Sequence, residues 1–123
     1  MRCPCRKVSE GLGYERCCGP YHAGERRPAT AEALMRSRFS AFARRDAAYL
    51  AATWHPSTRP VIDFPPGLEW VRLRIVAARE DGDTATVEFV ARGRNGGTPH
   101  ELHEVSRFVR EAGRWLYVDG MIR

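Results

Sequence analysis

Thr84-Ala85-Thr86-Val87-Glu88-Phe89-Val90-Ala91-Arg92 decides the fold class. Ala85, Val87 and Phe89 alternate with Thr84, Thr86 and Glu88, the period-2 pattern of a strand with one face on a core. Three further segments flank it with the same alternation: Trp70 to Arg79, His100 to Arg110 and Arg114 to Gly120. Asp81-Gly82, Asn95-Gly96-Gly97 and Ala112-Gly113 separate them and supply hairpin turns. A four-strand antiparallel meander is therefore expected over the second half of the chain.

Working outward towards the N-terminus, residues 56 to 68 hold Pro60, Pro65, Pro66 and Gly67 and read as an irregular connection, with one short extended piece at Val61 to Phe64. Ahead of it, Asp46 caps a short helix running to about Trp54, which His55-Pro56 ends. Ala31 to Arg44 reads as a longer helix capped by Thr30, with Leu34, Met35, Phe39 and Phe42 on one side. Arg38 lies in the middle of that apolar stripe. Since guanidinium cannot shed its charge, a buried Arg38 is expected to need a partner, with Glu104 preferred over Asp119 or Glu88. Helices followed by a meander give an α+β domain with the helices packed on one face of a curved antiparallel sheet.

A chain of 123 residues has the size of one domain. Hydrophobic residues at 43% and charged residues at 28% exclude a disordered or fibrous chain. No run approaches the roughly 18 apolar residues of a membrane span, and Met1-Arg2-Cys3-Pro4-Cys5-Arg6-Lys7 lacks the apolar region of an export signal, so a cytoplasmic protein without membrane partners is expected. The net charge of +5 is concentrated in residues 1 to 60, which carry 11 basic and 5 acidic side chains, a net +6. Such an excess suits nucleic acid or another phosphate-rich partner. Lys7 is the only lysine among the 20 basic residues, however, and that arginine skew points to genome composition at least as strongly.

All four cysteines, Cys3, Cys5, Cys17 and Cys18, fall within the first 18 residues. In a reducing compartment they are thiols or metal thiolates. A Cys-x-Cys pair and a Cys-Cys pair separated by eleven residues supply four thiolates to a tetrahedral zinc ion, with Gly11, Gly13 and Gly19 turning the loop between them. His22, four residues after Cys18, is the alternative ligand, because neutral imidazole also binds zinc. Four thiolates around a divalent ion leave a local charge near −2, which Arg2, Arg6, Lys7 and Arg16 are placed to offset.

Cys3-Pro4-Cys5 followed by Tyr14-Glu15-Arg16-Cys17-Cys18-Gly19 resembles the SEC-C zinc motif known from the tail of the SecA translocation ATPase. Pro20-Tyr21-His22-Ala23-Gly24, Thr30 to Phe42, Thr53-Trp54-His55-Pro56, Val87-Glu88-Phe89-Val90, Leu102-His103-Glu104 and Ser106-Arg107-Phe108 follow in an order that resembles the YchJ-like family of bacterial proteins. The resemblance covers nearly the whole chain. It implies a SEC-C zinc element over residues 1–24 and, over 25–123, a nuclear transport factor 2-like (cystatin-like) domain whose cone of curved sheet and helices encloses a pocket.

Candidate pocket residues are Arg38 from the helix stripe, Trp54 and His55 from the end of the second helix, and Glu104, Arg107, Trp115 and Asp119 from two strands whose facing alternation leaves open. That fold hosts enzymes and non-catalytic modules alike, so it does not choose between them. No Ser-His-Asp, Walker, Gly-x-Gly-x-x-Gly or His-Glu-x-x-His signature is present, and a zinc ion with four protein ligands has no open position for chemistry. The resulting expectation is a non-catalytic zinc module whose SEC-C element contacts a protein or ribosome-associated surface. The alternative is a small-molecule-binding protein or enzyme that uses the cone. Residues 1 to 24 contribute few large apolar groups, so the zinc element is expected to be peripheral to the folding of the remainder.

Overall fold

A computed structural model describes residues 2–5 and 13–123. After a single 3-10 turn at Tyr14–Arg16 the elements are α1 (Gly19–His22), α2 (Ala31–Arg44), α3 (Ala47–Ala52), β1 (Leu68–Asp81), β2 (Thr84–Asn95), β3 (Thr98–Glu111) and β4 (Arg114–Ile122). The strands form one antiparallel sheet in the order β1-β2-β3-β4. Each is longer than its alternating segment, because pairing continues into polar residues beside the turns. Residues 61 to 64 form no strand.

Local chemistry sets the helix limits. Thr30 Oγ1 accepts the Ala33 N–H at 3.0 Å, and Glu80 from β1 accepts the otherwise orphaned Ala31 N–H at 3.0 Å, which pins the start of α2 to the sheet. Arg45 ends that helix in the left-handed region at φ 57°. Asp46 Oδ1 then accepts the Tyr49 N–H at 3.1 Å and starts α3.

Helix α2 is buried nearly all round, at Ala31, Leu34, Met35, Ser37, Arg38, Phe39, Ser40 and Ala41. Leu34, Met35 and Phe39 join Leu73 of β1, Ala85, Val87, Phe89 and Ala91 of β2, Phe108 of β3 and Trp115 of β4 in one core, and Cys3, Cys5 and Cys18 belong to the same buried cluster. The three cysteines are therefore packed as core residues, although they come from a segment with few large side chains.

Bulges curve the sheet and re-aim its side chains. Two interrupt β1–β2, between Trp70 and Arg72 and between Ile75 and Ala77. Opposite the first stands Gly93, where an added Cβ would collide with the backbone oxygen of Glu69. A third displaces β4 against β3: Phe108 pairs with Tyr117, but Arg107 pairs with Asp119, which leaves Val118 as the extra residue.

Candidate metal centre and adjoining cleft

The four thiols converge although their pairs lie far apart in sequence. An isolated antiparallel bridge between Arg2 and Gly13 brings the two ends of the loop together. Gly13 is extended at φ −71° and ψ 170°, so its role is not a left-handed turn. Gly19 acts by close approach, since a Cβ there would stand 2.8 Å from the Tyr14 carbonyl. Gly11, Arg6 and Lys7 lie outside the described residues.

The ligand atoms of Cys3, Cys5, Cys17 and Cys18 all lie within 4.8 Å of one another. Cys5 and Cys17 sulfurs are 3.5 Å apart, and those of Cys17 and Cys18 are 3.9 Å apart. Metal–sulfur bonds of about 2.3 Å in a tetrahedron put sulfur–sulfur edges at about 3.8 Å, so the cluster fits a four-thiolate ion. None of the four forms a disulfide. Their titration is mutually opposed: hydrogen bonding with Cys18 and then Cys5 holds the Cys3 thiol far below its ordinary value, hydrogen bonding with Cys3 and Cys5 pushes Cys18 far up, and burial pushes Cys17 up to about 12. A cation among them would favour the thiolate form of all four, because metal ligands must be deprotonated.

Helix α2 forms the floor of this cluster. Ser40, fully buried, donates to Cys18 Sγ at 3.2 Å and lies 3.4 Å from Cys3 Sγ. Arg36 donates to the Cys5 carbonyl at 3.4 Å while pairing with Glu32. Arg2 and Arg16, expected as neighbouring charges, are exposed. His22 is no part of the cluster: Nδ1 is 2.6 Å from the Tyr14 hydroxyl and Nε2 is 2.8 Å from the Ser37 carbonyl, so both ring nitrogens are engaged elsewhere. The imidazole instead clamps α1 to α2, apart from the four sulfurs.

On the other side of α2 lies a cleft of about 390 Å³ between the helix and the sheet. Of the seven candidate pocket residues it gathers Arg38, Trp54 and Glu104. Arg38 is 2% exposed, as its place in the stripe predicts, but its partners differ from expectation. Nη1 donates to the Leu50 carbonyl at 3.0 Å and to Thr53 Oγ1 at 2.7 Å, while the guanidinium carbon lies 4.9 Å from the Trp54 ring centre and 4.5 Å from that of Tyr117. Among the described residues no carboxylate forms an ion pair with it. Burial lowers its pKa to about 10, and Tyr117, Tyr49 and the Glu104 charge act in the opposite sense. A parallel bridge between Trp54 and Tyr117 fixes the two rings against the cation.

Glu104 Oε2 accepts from the Ser106 hydroxyl at 2.6 Å and the Tyr117 hydroxyl at 3.4 Å. Its carboxylate occupies space that a side chain at Gly120 would need. Glu88, on the opposite face of the sheet, is paired with His103 at 2.7 Å.

Four candidates lie elsewhere. His55 bonds Ser57 and, at 2.9 Å, Glu111. Trp115 is core, on the helix side of the sheet beside Tyr49 and Thr53 and away from the cleft. Arg107 and Asp119 form a two-pronged pair at 2.6 and 2.5 Å on the outer surface. The Val118 bulge explains Asp119: one extra residue reverses the facing beyond it, so Gly120 rather than Asp119 meets Glu104. Tyr117, Trp70, His100 and Ser106 also line the cleft. Tyr117 and Ser106 each belonged to an alternation set that sequence alone could have turned inward or outward.

Helices laid on a curved four-strand antiparallel sheet, with a cysteine cluster seated behind the first long helix, define a SEC-C motif protein of the nuclear transport factor 2-like class. Residues 30–120 match the family model "YchJ, middle NTF2-like domain", and the chain belongs to that family. It is 52% identical to a UPF0225 protein of Ralstonia nicotianae, over 96% of this chain and 89% of that one. Against a UPF0225 protein of Xanthomonas oryzae pv. oryzae it is also 52% identical, over 95% and 92%. A solution structure of a SEC-C motif containing protein from Rhodopseudomonas palustris superposes with a TM-score of 0.87 at 38% identity, covering 98% of each chain. A crystal structure of a SEC-C motif containing protein from Psychrobacter arcticus gives 0.82 at 30% identity, covering all of this chain and 83% of that one.

Proposed function

We propose that the chain is a non-catalytic zinc-binding protein in which Cys3, Cys5, Cys17 and Cys18 hold one structural zinc ion, and in which the SEC-C element over residues 1–24 is the contact surface for a macromolecular partner. The observation that carries this reading is the convergence of four sulfurs within 4.8 Å. Zinc suits an all-thiolate tetrahedral site with no redox demand, and four protein ligands leave no position for substrate, so the ion would order the segment rather than catalyse. Thiols that stay unpaired in the structure suit the reducing cytosol. The basic balance of residues 1 to 60 suits an acidic partner, either a protein or a ribosome-associated surface. Among the described residues no helix is long and apolar enough to cross a membrane.

Elemental analysis of protein purified without chelator tests the metal: one zinc per chain is expected, and a stoichiometry near zero with four freely titrating thiols would refute it. Co-sedimentation with ribosomes at low and high salt, comparing the loaded protein with Cys17→Ser, tests the partner. Retention that falls with salt and with loss of the metal supports a ribosome-associated surface; equal retention of both proteins rejects the SEC-C element as the contact.

A further inference from the structure

The cleft on the far side of α2 holds two charged groups whose hydrogen-bonding capacity is only partly used. Arg38 uses only Nη1, so Nε and Nη2 present three N–H donors to which no acceptor among the described residues is bonded. Glu104 uses only Oε2, which leaves Oε1 as a free acceptor. Charged groups in a mostly apolar cavity ordinarily find partners, and two that share one with capacity unused call for an explanation.

The two charges of the cleft are also held apart. Tyr117 stands between them, its ring under the Arg38 guanidinium and its hydroxyl on Glu104. Around them the wall is apolar and aromatic, with Phe39, Phe42, Trp70, Phe89 and Leu102. A volume of about 390 Å³ lies at the small end of the range for ligand sites, about 300 to 1,000 Å³. Exposed Pro65 and His100 among the lining residues mark the route in.

We infer that this cleft binds a small zwitterion, an α-amino acid with an apolar side chain, whose carboxylate is received by Arg38 and whose ammonium is received by Glu104. Only a ligand with both charges meets both groups. A plain carboxylic acid would satisfy Arg38 while bringing a second anion towards Glu104, and a plain amine would leave Arg38 unmet. The lowered pKa of Arg38 agrees with a cation that the protein itself does not neutralise. This site is separate from the thiol cluster, and the zinc reading does not depend on it.

Calorimetric titration of the metal-loaded full chain with L-phenylalanine and L-leucine tests the inference, with 3-phenylpropionate and phenethylamine as probes lacking one charge each. Saturable binding of at least one amino acid is expected, with each single-charge probe weaker by about tenfold or more. Glu104→Gln should remove the preference for L-phenylalanine over 3-phenylpropionate. Arg38→Met is informative only if it folds, which is why Glu104→Gln carries the test. Absence of saturation with either amino acid, binding of 3-phenylpropionate as tight as that of L-phenylalanine, or an unchanged preference in Glu104→Gln would each overturn it.

Discussion

The thiol cluster and the Arg38 cleft sit on opposite sides of one helix. They solve the problem of buried polarity in different ways. At 100° per residue, Arg36 and Ser40 both project about 160° from Arg38, and the structure places the cysteines on the first two and the cleft on the third. The cluster gathers four like donors that one cation would satisfy together. The cleft keeps unlike groups apart and meets each only in part. A closed, uniform site orders the chain, whereas an open site of mixed polarity selects among ligands.

On the zinc reading proposed above, removing the metal should have the largest effect. Structural zinc supplies about 10 to 16 kcal/mol of binding free energy to zinc-finger peptides, and here three of the four cysteines lie in the main core. Chelation, or Cys18→Ser, is expected to lower the thermal midpoint of the whole domain, read by circular dichroism. A loss confined to residues 1 to 24, with the tertiary signal of the tryptophans intact, would restore the peripheral zinc element that sequence suggested.

Arg38→Met should come next. Its partners are a carbonyl and a hydroxyl rather than a carboxylate, so the variant strands neutral acceptors and removes a desolvated cation. A loss of about 1 to 3 kcal/mol in urea unfolding is expected, below the 3 to 5 kcal/mol of a broken buried ion pair. A larger loss would show that Glu104 acts as its counterion at a distance. Ser40→Ala should weaken metal retention by about tenfold in competition with a chromophoric chelator, the usual lower bound for groups that support ligands, without altering cleft binding.

Gly120→Ala is a small change aimed at the cleft alone. Its methyl must displace the flexible end of Glu104, so amino-acid binding should fall while stability and metal content stay near those of the parent. Smallest of all is Asp119→Asn on the exposed outer face. Hydrogen bonding from Arg107 lowers the Asp119 pKa, so whatever stability the pair supplies is present above the ordinary carboxylate value and is lost as pH falls through the lowered one. Solvent screening should make that loss too small to resolve in a thermal midpoint.

Much of the fold was legible because its signals are local. Thr30 and Asp46 cap the helices that they announce, and Asp81-Gly82, Asn95-Gly96-Gly97 and Ala112-Gly113 separate the strands. The cysteine cluster was legible through residue type, since four thiols in 18 residues have few other uses. The facing of β4 was hidden, because a bulge at Val118 leaves no mark in composition and reverses Asp119. The acceptors of Arg38 were only half legible: a carbonyl was admissible beside the preferred carboxylate, but every residue carries one, so nothing singled out Leu50. His22 illustrates the same limit, being a fitting ligand by type that tertiary contact assigns to Tyr14 and Ser37.

The placement of the aromatic rings gives the cleft an optical signature that the thiol cluster does not share. Trp54 and Trp70 line the cleft, and Trp54 lies beside the Arg38 cation, whose field and proximity perturb indole emission. Near the cysteines the ring is Tyr14, hydrogen bonded to His22 and stacked under Arg44 at 3.8 Å. Excitation at the red edge of the absorption band, where only indole absorbs, therefore reports chiefly on the cleft. Tyr117 also lies in the cleft, between Arg38 and Glu104, so the phenol band is shared by the two sites and the indole signal is the one that separates them.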